Sequence, residues 1–205
     1  MDLQTLIFLG PSGSGKGTQV ARVREYLGSH DTSRNIVELV MGDLFRVFWK
    51  KEGYAHDLSR DINLAGGLQP SFLQINMWSN FMLEHIRGNE HLLIDGSPRR
   101  TTDLEAMESA FEFYKRPHPT LVFINISKEE SVKRLLRRAE MAENPRPEDG
   151  DILLIDNRYQ WFLESVMPVI DAMRKNDMFT VIEINGEQEV DAVTEDVFNG
   201  LGWQH

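Results

Sequence analysis

The chain has 205 residues, with 22 Lys and Arg against 32 Asp and Glu, a formal net charge of -10, and no cysteine. So acidic a chain lacks the broad basic surface that general nucleic-acid binding needs, and without thiols it has no disulfide, thiolate zinc site or cysteine nucleophile. A hydrophobic content of 41% suits one compact domain over residues 1–205. No apolar run has membrane-spanning length and no leader-like segment opens the chain, so a soluble cytoplasmic protein without a membrane partner is expected; a monomer with no nucleic-acid partner completes the expectation.

Short apolar runs alternate with longer periodic segments along the chain. A first strand is expected over Leu3–Leu9, followed by Gly10-Pro11-Ser12-Gly13-Ser14-Gly15-Lys16-Gly17-Thr18-Gln19 and a helix over Gly15–Leu27. Glycines here let the backbone turn and gather its N–H groups, the helix adds the positive end of its dipole, and Lys16 adds a full charge. This reads as a phosphate-binding loop, although its hydroxyl stands at Thr18, one place later than in the usual GxxxxGK[ST] pattern. A strand over Ile36–Val40 and helices over Asp43–Lys51, Ala55–Leu64 and Ser71–Arg87 come next. The third strand, His91–Asp95, ends on a carboxylate, which beside a phosphate loop suits magnesium held through water. After the turn Gly96–Arg99, the expected elements are a helix over Leu104–Lys115, a strand over Thr120–Ile126 and a helix over Lys128–Glu140.

The segment Ala139–Asp151, rich in Glu, Asn, Pro and Asp, is either an ordinary solvated loop or a short mobile lid. A helix over Asp151–Arg174, a strand over Phe179–Ile184 and a helix over Val190–Leu201 complete the chain. Such alternation argues for a parallel sheet covered on both faces, with ligands at the carboxyl ends of its strands. Arg46, Arg99, Arg134, Arg137, Arg138, Arg146 and Arg158 offer the positive charge that phosphoryl transfer requires. Any one of them alone is more commonly a solvated surface group, and Trp49, Trp78, Trp161 and Trp203 read as packing residues.

Three motifs in order then resemble the adenylate kinase and nucleoside monophosphate kinase family, over about Leu3 to Leu201. They are the loop GPSGSGKGTQ, with its glycine between lysine and threonine, the segment Met41-Gly42-Asp43-Leu44-Phe45-Arg46, and Asp95-Gly96-Ser97-Pro98-Arg99. The resemblance implies an α/β P-loop three-layer sandwich around a five-stranded parallel sheet. It also implies an acceptor-binding insert near 43–74 and a short lid near 139–151, without zinc. ATP would be held by Gly13, Ser14, Gly15, Lys16, Gly17 and Thr18 at its phosphates, and by Arg134 and the turn ending at Gln188 at its base. The monophosphate would meet Met41, Arg46, Gly67, Leu68, Gln69, Gly96, Ser97, Pro98, Arg99 and Asp103. Lys16, Arg138, Arg146 and Arg158 would be catalytic, and Asp95 would organise magnesium through water, with support from Asp43. The implied activity is transfer of the terminal phosphoryl of ATP to a monophosphate, AMP first, in the presence of Mg2+.

Departures from the family pattern cluster around the acceptor base. Met41 replaces a threonine, Ser97 a bulky aromatic, Gly67 and Gln69 a lysine and a valine, and Asp103 a glutamine. A glutamine amide both donates and accepts, as adenine requires, whereas an ionised aspartate only accepts. That would suit the N–H groups of guanine or the amine of cytosine. The alternatives are therefore CMP, UMP, GMP or a deoxy form as acceptor, or base reading by Gln69 or backbone groups with Asp103 turned to solvent. A nucleotide-binding regulator without turnover and a P-loop kinase for a non-nucleotide metabolite are the remaining readings.

Overall fold

The computed structural model describes residues 1–141 and 149–203. Five strands, β1 (Thr5–Leu9), β2 (Ile36–Val40), β3 (His91–Asp95), β4 (Thr120–Asn125) and β5 (Thr180–Asn185), form one sheet in the order β2-β3-β1-β4-β5. All neighbours are parallel. The helices are α1 (Lys16–His30), α2 (Met41–Trp49), α3 (Tyr54–Leu64), α4 (Ser71–His85), α5 (Thr101–Phe113), α6 (Lys128–Met141), α7 (Ile152–Trp161), α8 (Met167–Arg174) and α9 (Val190–Gly200).

Side chains alternate across a strand, and that period of two divides the core into two layers. Ile7 and Leu9 of β1, Leu92 and Ile94 of β3, and Leu121 and Phe123 of β4 face one layer with Trp78, Met107, Phe111 and Phe162. Leu6 and Phe8, Leu93, and Val122 and Ile124 face the other, with Val20, Val23 and Leu27 of α1 and Val193 and Val197 of α9. Every residue of β1 is buried. At roughly 1.5–3 kcal/mol for each large apolar side chain removed from water, this central strand is strongly held, and so is the start of the loop that leaves it.

The segment expected as one helix over Asp151–Arg174 is interrupted. Between α7 and α8 the chain forms a π turn over Phe162–Val166, and the Met167 N–H donates to Phe162 O, five residues back. Pro168 follows immediately and has no N–H to return the ladder to its usual spacing at that point. The start of α5 at Thr101, rather than Leu104, has its own cause in Asp103 and is described with the site.

Candidate active site

The loop after β1 is shaped by two close constraints. At Gly10 a Cβ would lie 2.2 Å from the carbonyl oxygen of Ile124 on β4, so no larger residue fits without moving the sheet. Gly15, which caps α1, has φ 89° and ψ 9°, a left-handed conformation open to glycine at little cost. Ser131 of α6 donates to Ser12 O at 2.7 Å and ties that helix to the loop. Ser14 is buried, whereas Gly17 and Thr18 are exposed at the first turn of α1.

Lys16 folds back over this loop, donating from Nζ to Gly10 O at 2.8 Å, Pro11 O at 2.9 Å and Ser14 Oγ at 3.3 Å. Its surroundings push the ammonium down to about 8. Burial is the largest cause, Asp95 opposes it, and Arg99, Arg158 and Arg138 add to the depression. Asp95, Arg99, Arg138 and Arg158 therefore all lie within electrostatic reach of Lys16, although the five residues come from four parts of the chain.

Parallel pairing brings the second motif beside the first. Phe8 is in register with Asp95, Val40 is also in register with Asp95, and the Gly96 N–H donates to Phe8 O at 3.2 Å. The ends of β2, β3 and β1 thus present Met41–Arg46, Asp95–Arg99 and Gly10–Thr18 along one edge of the sheet. Arg99 donates from Nε to Gly96 O at 2.7 Å, and its guanidinium lies 5.2 Å over the ring of Trp161. Burial, then Arg158, push Arg99 down to about 10, against the pull of Asp95 and Asp103, so it stays charged at neutral pH. Ser97 and Pro98 are buried, and the Ser97 hydroxyl has no hydrogen-bond partner among the described residues.

Asp103 is fully buried. Its Oδ2 accepts from the N–H groups of Arg99 at 3.2 Å and Arg100 at 3.0 Å, and its Oδ1 is enclosed without a partner among the described residues. An acid in the first turn of a helix satisfies N–H groups at its start and favours the positive end of the dipole. This is why α5 begins three residues earlier than the sequence pattern suggested. Neither expectation for Asp103 matches this placement: it does not turn to solvent, and this conformation leaves no accessible oxygen for a base.

Gln69, the other candidate reader, is committed to the fold as well. Its Oε1 accepts from Ser59 Oγ at 2.8 Å, its Nε2 donates to Ser59 O at 2.8 Å, and Trp49 Nε1 donates to the same hydroxyl at 2.8 Å. The Gln69 carbonyl accepts from Gln74 Nε2 at 2.9 Å and Arg100 Nη1 at 2.5 Å. Met41 is a buried core residue, so its side chain is committed to packing. Gly67 donates to Ile62 O at 2.8 Å and closes the turn after α3, and Leu68 is half-buried. Arg46 pairs with Asp43 on the same helix, with Nε 3.2 Å from Oδ1. An exposed pair of this kind contributes at most about 1 kcal/mol, so a phosphate can take its place.

The arginines expected around the lid are partly assembled. Arg138 grips Asp149 with two hydrogen bonds of 2.7 and 2.8 Å, and Arg158 lies 3.9 Å from the same carboxylate, which is almost wholly buried. Asp149 falls in the segment that the sequence leaves open between a solvated loop and a lid, and nothing in its composition singles this residue out. Arg134 pairs with Glu130 at 2.8 Å, one turn earlier on α6. Gln188 donates to Asn185 O at 3.0 Å and Asp196 Oδ2 at 2.6 Å, which braces the turn after β5. Arg146 and most of the lid segment lie outside the described residues.

No group of three or more His, Cys, Asp or Glu residues that would hold a metal occurs among the described residues. A single carboxylate, Asp95, beside a phosphate loop is the donor set that suits magnesium, which keeps several waters and takes its other ligands from substrate phosphates. No helix among the described residues is long and apolar enough to cross a membrane.

A family model described as adenylate kinase matches residues 8–178. UMP-CMP kinase 3 of Arabidopsis thaliana is 35% identical over 94% of this chain and 87% of its own. UMP-CMP kinase 3 of Oryza sativa subsp. japonica is 33% identical over 94% and 83%. An adenylate kinase of Nocardioides sp. is 28% identical over 96% of each chain.

Proposed function

The chain belongs to the adenylate kinase family, and from that premise we propose that it transfers the terminal phosphoryl of ATP to a nucleoside monophosphate with a pyrimidine base. The observation that carries the transfer reading is the convergence of Lys16, Asp95, Arg99, Arg138 and Arg158 at the strand ends beside the glycine loop. Negative charge spreads over the oxygens of a phosphoryl group in flight, and a cluster of fixed cations in a partly dry site stabilises it.

In this reading the loop N–H groups from Gly13 to Thr18 receive the ATP phosphates. Lys16 exchanges its contacts with Gly10 O and Pro11 O for phosphate oxygens. Arg99 and Arg46 hold the acceptor phosphate, and Arg138 and Arg158 close on the moving group from α6 and α7. Arg146 is assigned the same role by resemblance, and Arg134 with Gln188 flanks the ATP base. Asp95 would hold Mg2+ through water, where the ion neutralises phosphate charge.

Two observations move the acceptor from AMP toward CMP or UMP. The amide that would read adenine is absent, since position 103 carries an enclosed carboxylate already bonded to the backbone. The most identical relatives named above carry the name UMP-CMP kinase. The proposal extends to a monomeric cytoplasmic enzyme without nucleic-acid or membrane partners; the net charge of -10 argues against nucleic acid, and the lack of cysteine is compatible with a reducing compartment. A coupled assay with ATP, Mg2+ and each of AMP, CMP, UMP, GMP and the deoxy forms tests the reading. Turnover is expected to be highest with CMP or UMP. A preference for AMP would overturn the base assignment, and transfer to none would overturn the function.

A further inference from the structure

Trp161 joins three parts of the site. It ends α7, where the helical ladder widens into the π turn. Its indole N–H donates to the carbonyl of Gly66 at 3.1 Å, and the guanidinium of Arg99 lies over its ring at 5.2 Å from the centroid. Gly66 belongs to the turn between α3 and α4. A Cβ placed there would stand 3.2 to 3.3 Å from atoms of Leu154, so this turn rests on two residues of α7. The turn does not move alone: Ser59, Gln69, Gln74 and Arg100 are joined just beyond it by hydrogen bonds.

Arg99 needs such a partner. It is crowded by the like charges of Arg158 and Arg100, and the negative face of an indole attracts a cation without using any of its N–H groups. Its Nε–H is engaged by Gly96 O, and among the described residues neither Nη group has a hydrogen-bond partner. The ring therefore holds the guanidinium plane while leaving that pair of donors for a phosphate, the geometry that makes arginine a bidentate anion ligand.

We propose that Trp161 is a positioning residue for the acceptor, aiming Arg99 with its ring face and pinning the insert turn with its N–H. One side chain thereby sets both the phosphate-binding arginine and the turn of the insert beside it. This rests on the reading of Arg99 as the acceptor-phosphate group. The test compares Trp161→Phe, which keeps a ring and loses the N–H, with Trp161→Leu, which loses both. Steady-state kinetics, calorimetric binding of CMP, UMP and AMP without ATP, and thermal unfolding are measured for each.

Loss of a stacked cation contact and one hydrogen bond is expected to raise the acceptor KM and Kd about 10-fold or more in Trp161→Leu. The rise should be about 3-fold in Trp161→Phe, by the same factor for every base. The ATP KM and kcat should stay within about twofold of wild type. In an Arg99→Ala background the Trp161→Leu effect on acceptor affinity should largely vanish, because the two act through one contact. Unchanged acceptor affinity in Trp161→Leu, or equal losses for ATP and acceptor that follow a lowered thermal midpoint, would overturn the inference. A wild-type protein that binds monophosphates but transfers nothing would refute the proposed activity, while the calorimetric comparison still decides the role of Trp161.

Discussion

Replacing Asp103 by alanine is the sharpest probe of what this site departs from. The carboxylate is fully buried and accepts two backbone N–H groups at the start of α5. Hydrogen bonds to a charged group are worth about 1.5–3 kcal/mol each, and helix-start contacts about 0.5–2 kcal/mol when truncated to alanine. The unpartnered Oδ1 works the other way, since removing an enclosed oxygen without a hydrogen bond relieves a desolvation cost. A net loss of about 2–3 kcal/mol follows, which for a domain of this size lowers the thermal midpoint by about 4–12 °C. The companion variant Asp103→Gln adds a methylene to an enclosed site and should also destabilise, by about 1–3 kcal/mol. Thermal and urea unfolding measure both, and the monophosphate panel is run on the same samples. If Asp103→Gln unfolds like wild type and gains AMP turnover, the carboxylate reads the base and the structural assignment is refuted.

The remaining predictions concern protonation. ATP phosphates favour the charged form of Lys16, which is held down to about 8 in the free protein. ATP binding should therefore take up protons near pH 8 and almost none at pH 6, as read by calorimetry in buffers of different ionisation enthalpy. Lys16→Ala should remove the uptake; its persistence would show that another group titrates. At the opposite end of the sheet, His91 is buried, accepts the Gln4 N–H on Nδ1 at 3.1 Å and meets Asp31 through Nε2 at 3.3 Å. Burial outweighs Asp31 and holds its pKa below the ordinary 6.5, so the unfolded chain takes up the proton first. Stability is then fully present above about 6.5 and falls as pH drops toward the lowered folded value. Unfolding midpoints measured from pH 7.5 to 5 should decline over that window, with a flatter slope in His91→Gln; an equal slope in both would contradict this.

The strands were legible to within a residue or two because β1, β3 and β4 are buried on both faces and appear as unbroken apolar runs. The phosphate loop was legible because its work is done by backbone, and glycines followed by lysine announce that geometry. The acceptor side was less so. Gln69 and Asp103 stand as alternative readers of the base in the sequence, because an isolated polar residue carries no mark of its partner. In the fold, Gln69 meets Ser59 ten residues earlier, and Asp103 meets the N–H groups of Arg99 and Arg100. Trp161 reads as packing in the sequence because its partner Gly66 lies 95 residues away in the chain. Pro168 stands inside the expected helix over Asp151–Arg174, and the π turn before it brings Phe162 and Val166 into the core. Asp149 stands in a segment whose composition leaves a solvated loop and a lid both open, although it gathers Arg138 and Arg158.

The central claim is that one edge of this sheet holds an ATP site at Lys16 and an acceptor site at Arg99 for direct transfer between them. The most direct measurement follows label from the terminal phosphate of ATP into CMP or UMP, in wild type, Lys16→Ala and Arg99→Ala. Wild type should give labelled nucleoside diphosphate in equal amount to ADP. Lys16→Ala should lose mainly kcat, and Arg99→Ala mainly acceptor affinity. Label released only as inorganic phosphate, or an Arg99→Ala protein with wild-type acceptor affinity, would contradict the account.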